Sequence, residues 1–102
     1  MYGLSDDVLE KLRNIFSEFE NIEKVILYGS RAKGNYKSGS DIDLTLVGRE
    51  LTLANCLYPV IDRIEMLLLP YMVDLSIFTQ ISNPDLIEHI DGVGKIIYQR
   101  SD

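Results

Sequence analysis

Asp41 and Asp43 stand two residues apart in Asp41-Ile42-Asp43-Leu44-Thr45-Leu46-Val47, a segment of alternating character. Period-two alternation predicts a strand, with Asp41, Asp43, Thr45 and Val47 facing one way and Ile42, Leu44 and Leu46 the other. The two carboxylates then share a face with Cα atoms roughly 6–7 Å apart, close enough to lean together on one divalent cation. Two metal ions about 3.5–4 Å apart are the usual device for in-line displacement at phosphorus. Mg²⁺ suits such a pair, because it prefers oxygen ligands and needs only one or two carboxylates beside water and phosphate. A third carboxylate, Asp74, interrupts the apolar run Met72-Val73-Asp74-Leu75-Ser76-Ile77-Phe78. Each feature also has a plainer reading. Asp41 and Asp43 could line the wet face of an amphipathic strand, and Asp74 could be a charge that protects an edge strand from pairing.

Upstream lies Gly29-Ser30-Arg31-Ala32-Lys33-Gly34, directly after the apolar run Val25-Ile26-Leu27-Tyr28. Glycine after a buried strand lets backbone approach a ligand closely. The amides of such a turn, the Ser30 hydroxyl and a following helix start could cradle a phosphate, with Arg31 and Lys33 supplying positive charge. A polar turn between strands is the simpler alternative. The segment is neither a Walker loop nor a dinucleotide fingerprint.

The elements that must position these groups follow from local patterns. Ser5 can cap a helix whose first turn holds Asp6 and Asp7, and Val8, Leu12, Ile15, Phe16 and Phe19 recur at helical spacing. Ile22 to Tyr28 is a strand, and Gly29 to Ser40 a loop or short helical turn. A helical stretch is expected from about Thr52 to Leu68, either kinked or restarted at Pro59. Met72 to Phe78 is the next strand, with Asp74 and Ser76 on one face. Asn83-Pro84 opens a short helix to about Ile90, ended by Gly92 and Gly94, and Lys95–Tyr98 can add a last strand. Strands separated by helices predict an α/β fold, a mixed sheet flanked by helices.

Composition narrows the function. With 102 residues, 46% of them hydrophobic and 25% charged, one globular domain is expected and disorder is not. A net charge of −6 argues against general nucleic-acid binding, which needs a Lys- and Arg-rich surface. The lone Cys56 allows no internal disulfide and reads as a small buried residue. Neither a leader nor a membrane span is evident, so a cytoplasmic location is expected. His89, the single histidine, reads as a surface or cap residue, Asp62 and Glu65 as a solvated helix face, and Tyr58, Tyr71 and Tyr98 as residues of the core margin or an interface.

The order strand, Gly29-Ser30, then Ser38-Gly39-Ser40-Asp41-Ile42-Asp43-Leu44, then Asp74-Leu75, resembles the DNA polymerase beta-like nucleotidyltransferase superfamily. Within it, the chain is most similar to the minimal nucleotidyltransferases, which lack a helical second domain, and its tail from His89 to Tyr98 is similar to theirs. The resemblance implies a nucleotidyltransferase-type fold in which Asp41 and Asp43 bind two Mg²⁺ ions. Asp74 would complete the site and help activate the attacking hydroxyl. Gly29 and Ser30 would contact the phosphates of a nucleotide, with ATP the default donor, and Ser40 would steady the loop or a phosphate. Lys33 stands where relatives often carry Arg, which keeps the charge but weakens a bidentate contact. Minimal nucleotidyltransferases commonly pair with a small helical HEPN protein, an RNase-like toxin. The resemblance therefore implies an antitoxin that transfers AMP to a hydroxyl of that partner, with neutralisation by binding alone as the alternative. A stand-alone transferase acting on an antibiotic is disfavoured by the missing second domain.

Overall fold

The computed structural model describes residues 1–101. Ser5 takes an extended conformation and its Oγ accepts the Val8 amide hydrogen at 3.1 Å, so α1 (Asp6–Ser17) starts where its sequence places the cap. Leu9, Leu12, Ile15 and Phe16 are buried along it, while Val8 and Phe19 sit at the core margin. Next come β1 (Ile22–Tyr28), α2 (Gly29–Lys33), β2 (Ile42–Gly48) and one π-helical turn at Leu53–Leu57. Then follow α3 (Tyr58–Glu65), β3 (Val73–Ile77), a 3₁₀ turn at Phe78–Gln80, α4 (Pro84–Val93) and β4 (Lys95–Gln99).

The strands form one mixed sheet in the order β3-β2-β1-β4. β1 runs antiparallel to β2 and β4, whereas β2 and β3 are parallel, joined by the crossover that carries α3. Val25, Leu27, Ile42, Leu44 and Leu46 are fully buried in the core shared with α1 and α3. On the other side α4 packs against β1, with Gly94 close to Ile26. The α/β mixed-sheet expectation holds.

Of the two alternatives at Pro59, the structure takes the restart: a π-helical turn capped reciprocally by Thr52 and Asn55, then α3 with Pro59 in its first turn. Two helix ends differ from expectation. α3 stops at Glu65, Leu68 turns to a left-handed φ of 53°, and Pro70 beyond it keeps Leu69 out of helical backbone. Gly92 lies inside α4, and Gly94 is the residue that ends it. Cys56 is buried, as expected, and Tyr98 packs against Phe16 with ring centroids 5.9 Å apart. Tyr58 remains largely exposed. At the far end of the sheet, Arg100 donates to the carbonyls of Ser17, Phe19 and Ile22, which ties the end of β4 to the α1–β1 turn. No helix among the described residues is long and apolar enough to cross a membrane.

Candidate active site

β1 ends at Tyr28, and the chain turns into α2 through Gly29 at φ +76°, a conformation that side chains rarely adopt. A Cβ on Gly29 would run into the Asp43 carboxylate. Glycine is therefore favoured by backbone conformation, and any side chain here would also displace the Asp43 carboxylate. The five-residue α2 closes on Gly34, also left-handed, and Gly34 and Asn35 donate to the Ser30 carbonyl at 3.0 and 3.2 Å.

Register places the acids. Tyr28 pairs with Asp43 across β1 and β2, and Asp43 pairs with Asp74 across β2 and β3. Three side chains thus stand in a row across three strands, about 4.8 Å from strand to strand. Asp41, exposed, lies just before β2. Behind them Ser76 Oγ donates to Thr45 Oγ1 at 2.9 Å, which satisfies the fully buried Thr45.

The row is electrostatically crowded. Burial, then the charges of Asp74 and Asp41, push the Asp43 carboxyl above the ordinary carboxylate range, while His89 pulls it back down. Burial also raises the Tyr28 phenol; the neighbouring Ser76 hydroxyl opposes this, and the charges of Asp43 and Asp74 add to it. Among the described residues no three acidic, histidine or cysteine side chains converge on one point as a complete metal cage. Mg²⁺ does not need one, since it completes its shell with water and phosphate oxygens around one or two carboxylates. The like-charge pressure on Asp43 is what a cation would relieve. The donor set fits Mg²⁺.

Arg31 is placed differently from its expected role beside a phosphate. It is only 1% exposed. Its Nε and Nη2 donate to the Ser40 carbonyl at 3.1 and 2.8 Å, and Nη1 donates to the Tyr2 carbonyl at 2.9 Å. The guanidinium also lies over the rings of Tyr36 and Tyr71, 5.3 and 4.8 Å from their centroids. Arg31 is the clamp of the loop leading into Asp41. Ser40 serves the same loop, accepting the Lys37 amide hydrogen on Oγ at 2.8 Å. Ser30 is half-buried in α2, and Lys33 is exposed at its end, the one basic side chain of this helix open to solvent.

Residues 10–102 match the family model described as polymerase beta, nucleotidyltransferase. The chain belongs to the polymerase beta nucleotidyltransferase family. Among solved structures, a toxin–antitoxin complex with AMP-PNP aligns with a TM-score of 0.71 at 18% identity, covering 91% of this chain and 74% of that one. A Shewanella oneidensis complex of tri-AMPylated HEPN toxin with MNT antitoxin gives 0.68 at 15% identity, covering 95% and 74%. A putative nucleotidyltransferase from Sulfolobus solfataricus gives 0.58 at 23%, covering 90% and 77%. These likenesses establish a shared nucleotidyltransferase fold. No curated protein matches the chain.

One residue of this candidate site escaped the sequence. His89, expected as a surface or cap residue, is half-buried on α4, and its Nε2 accepts the Gly29 amide hydrogen at 3.1 Å. Its ring meets Tyr28 edge-on, with centroids 6.2 Å apart. The signals available were that it is the single histidine and that it opens the family-like tail from His89 to Tyr98.

The fit of Gly29 against Asp43 makes a direct prediction. Gly29→Ala should destabilise the domain by about 1–3 kcal/mol in urea unfolding, through left-handed strain and displacement of Asp43. Nucleotide affinity should fall further than the small unfolded fraction explains.

Proposed function

We propose that this chain is a Mg²⁺-dependent protein adenylyltransferase that acts as an antitoxin, moving AMP from ATP to a hydroxyl of a small helical HEPN-type partner, for example a tyrosine. The observation that carries the reading is the row Tyr28–Asp43–Asp74 across adjacent strands, with Asp41 beside it and Gly29 packed on the Asp43 carboxylate. Asp41, Asp43 and Asp74 would hold Mg²⁺, which when bound polarises the phosphate oxygens and offsets their charge. The acceptor oxygen attacks the α-phosphorus in line, the bond to the bridging oxygen breaks, and pyrophosphate leaves. Asp74, exposed on the edge strand β3, would take the hydroxyl proton. Gly29 and Ser30 would contact the phosphates, with Lys33 at the rim.

Donor and acceptor class draw support from the relatives described as binding AMP-PNP and as accompanying an AMPylated HEPN toxin. A macromolecular acceptor also agrees with the surface beside β3. Met66, Leu68 and Met72 are 75%, 88% and 73% exposed around a groove of about 300 Å³ between α3 and β3. So much apolar surface in so few residues, one of them in a strained left-handed conformation, suits a partner protein. The same patch favours a second reading, neutralisation by docking without turnover.

Asp74→Asn separates the two. The variant keeps the fold and the apolar patch but should no longer transfer labelled AMP to the partner, read by mass spectrometry, and should no longer protect cells from it. Full protection without any covalent adduct would establish the docking reading instead.

A further inference from the structure

We propose that His89 is a positioning residue of this site: its Nε2 fixes the Gly29 amide, and with it the turn that walls the Asp43 carboxylate. The inference rests on the nucleotidyl-transfer reading and extends it to a residue outside the Gly-Ser and Asp-x-Asp motifs.

The contact spans 60 residues of sequence, so it is made by the tertiary fold and not by the turn itself. A backbone amide can only donate, so Nε2 is the unprotonated nitrogen and Nδ1 carries the hydrogen. Gly29 needs an external anchor. With no side chain and a left-handed φ, it is free to move unless its backbone groups are held. Its amide is bonded to His89, and its Cα faces Asp43 so tightly that no methyl group fits between them.

His89 also presses on the other neighbour of Asp43. Its ring packs edge-on against Tyr28, the ladder partner of Asp43. One imidazole therefore holds the residue beside Asp43 in the sheet and the residue in contact with its carboxylate. α4 packs on both β1 and α2, and His89 lies at that junction. A second consequence concerns the phosphate cradle. Because the Gly29 amide is already engaged, Gly29 serves a phosphate through its lack of a side chain, and its hydrogen belongs to His89.

The test uses the full chain, labelled with ¹⁵N. In the nucleotide-free protein, His89 should show the Nδ1–H tautomer, and the Gly29 amide should be protected from solvent exchange. His89→Phe keeps a ring against Tyr28 and removes the acceptor. Loss of one hydrogen bond worth about 1 kcal/mol should speed Gly29 exchange and weaken Mg²⁺–ATP binding, each by roughly 5- to 10-fold, with the remaining spectrum conserved. His89→Gln returns a carbonyl acceptor and should recover a large part of both. Wild-type Gly29 protection and ATP affinity in His89→Phe would overturn the proposal and leave His89 a packing residue. Equal losses in the Phe and Gln variants would overturn it as well, because the acceptor would then not be what matters. Failure of the wild type to bind Mg²⁺–ATP would instead overturn the proposed function, and is distinguishable because Gly29 protection and the His89 tautomer are read without nucleotide.

Discussion

Asp43→Asn should melt at a higher temperature than the wild type at neutral pH while losing nucleotidyl transfer by roughly 100- to 1000-fold, the scale of several kcal/mol of metal-assisted stabilisation. The Asp43 carboxyl binds its proton more tightly in the fold than in the unfolded chain, through burial and the charges of Asp74 and Asp41. Its contribution to stability is therefore present below the unfolded carboxylate range and lost as pH rises through its higher folded value. At pH 7 the ionised group works against the fold, and the neutral amide removes that opposition. The gap in melting temperature between variant and wild type should narrow as pH falls below about 4, where carboxylates are protonated in both states. Mg²⁺ with ATP should raise the wild-type melting temperature and leave the variant nearly unmoved, since only a ligand bound to the native state stabilises it. A variant less stable than the wild type at pH 7 would mean that Asp43 is a structural acid. Unchanged transfer would remove it from the site.

Arg31→Ala should destabilise the domain by roughly 3–5 kcal/mol in urea unfolding, because charged hydrogen bonds to two partly buried carbonyls and the contacts with two aromatic faces are lost together. Among the described residues Arg31 has no salt-bridge partner, so its charge is satisfied by the Ser40 and Tyr2 carbonyls and by the rings of Tyr36 and Tyr71. Arg31→Lys tests geometry apart from charge. A single ammonium cannot reproduce the fork that reaches Ser40 and Tyr2 at once, so most of the loss should remain. If Lys restored nearly full stability, positive charge alone would be the requirement. Because Ser40 immediately precedes Asp41, weaker metal–nucleotide binding should accompany the loss of stability in both variants. Direct phosphate binding by Arg31 would predict the reverse pattern, intact stability with impaired affinity.

The divergent fates of Arg31 and Asp43 mark what local sequence can and cannot say. Asp43 sits in an alternating strand, and alternation alone assigns its face; β1, the Ser5 cap and the Pro84 helix start are encoded within a few residues in the same way. Arg31 is the same chemical group whether it grips a phosphate or two carbonyls. The choice depends on Tyr2, Tyr36 and Tyr71, which the fold brings in from three separate segments. His89 was illegible for a like reason, since nothing near position 89 indicates that α4 crosses β1 beside Gly29. The parallel pairing that sets Asp74 beside Asp43 is also a property of the whole sheet. The end of α3 was more accessible. Pro70 is a local signal that the leucines directly before it do not all continue the helix.

The clamp on Tyr2 gives the molecule a preferred end for attachment. Tyr2 and Gly3 both take left-handed backbone, and a side chain on Gly3 would strike Tyr36 and Arg31, so the opening residues are fitted into the loop that delivers Asp41. The far end of β4 lies at the other pole of the sheet. β4 runs antiparallel to β1, Gln99 pairs with Lys24, and Arg100 is moored to the α1–β1 turn, away from Tyr28 and Asp43. A fluorophore, purification handle or surface tether therefore belongs after Arg100, where it leaves the acids and the apolar patch facing open solution. One joined directly to Met1 would pull on the strap that holds Arg31.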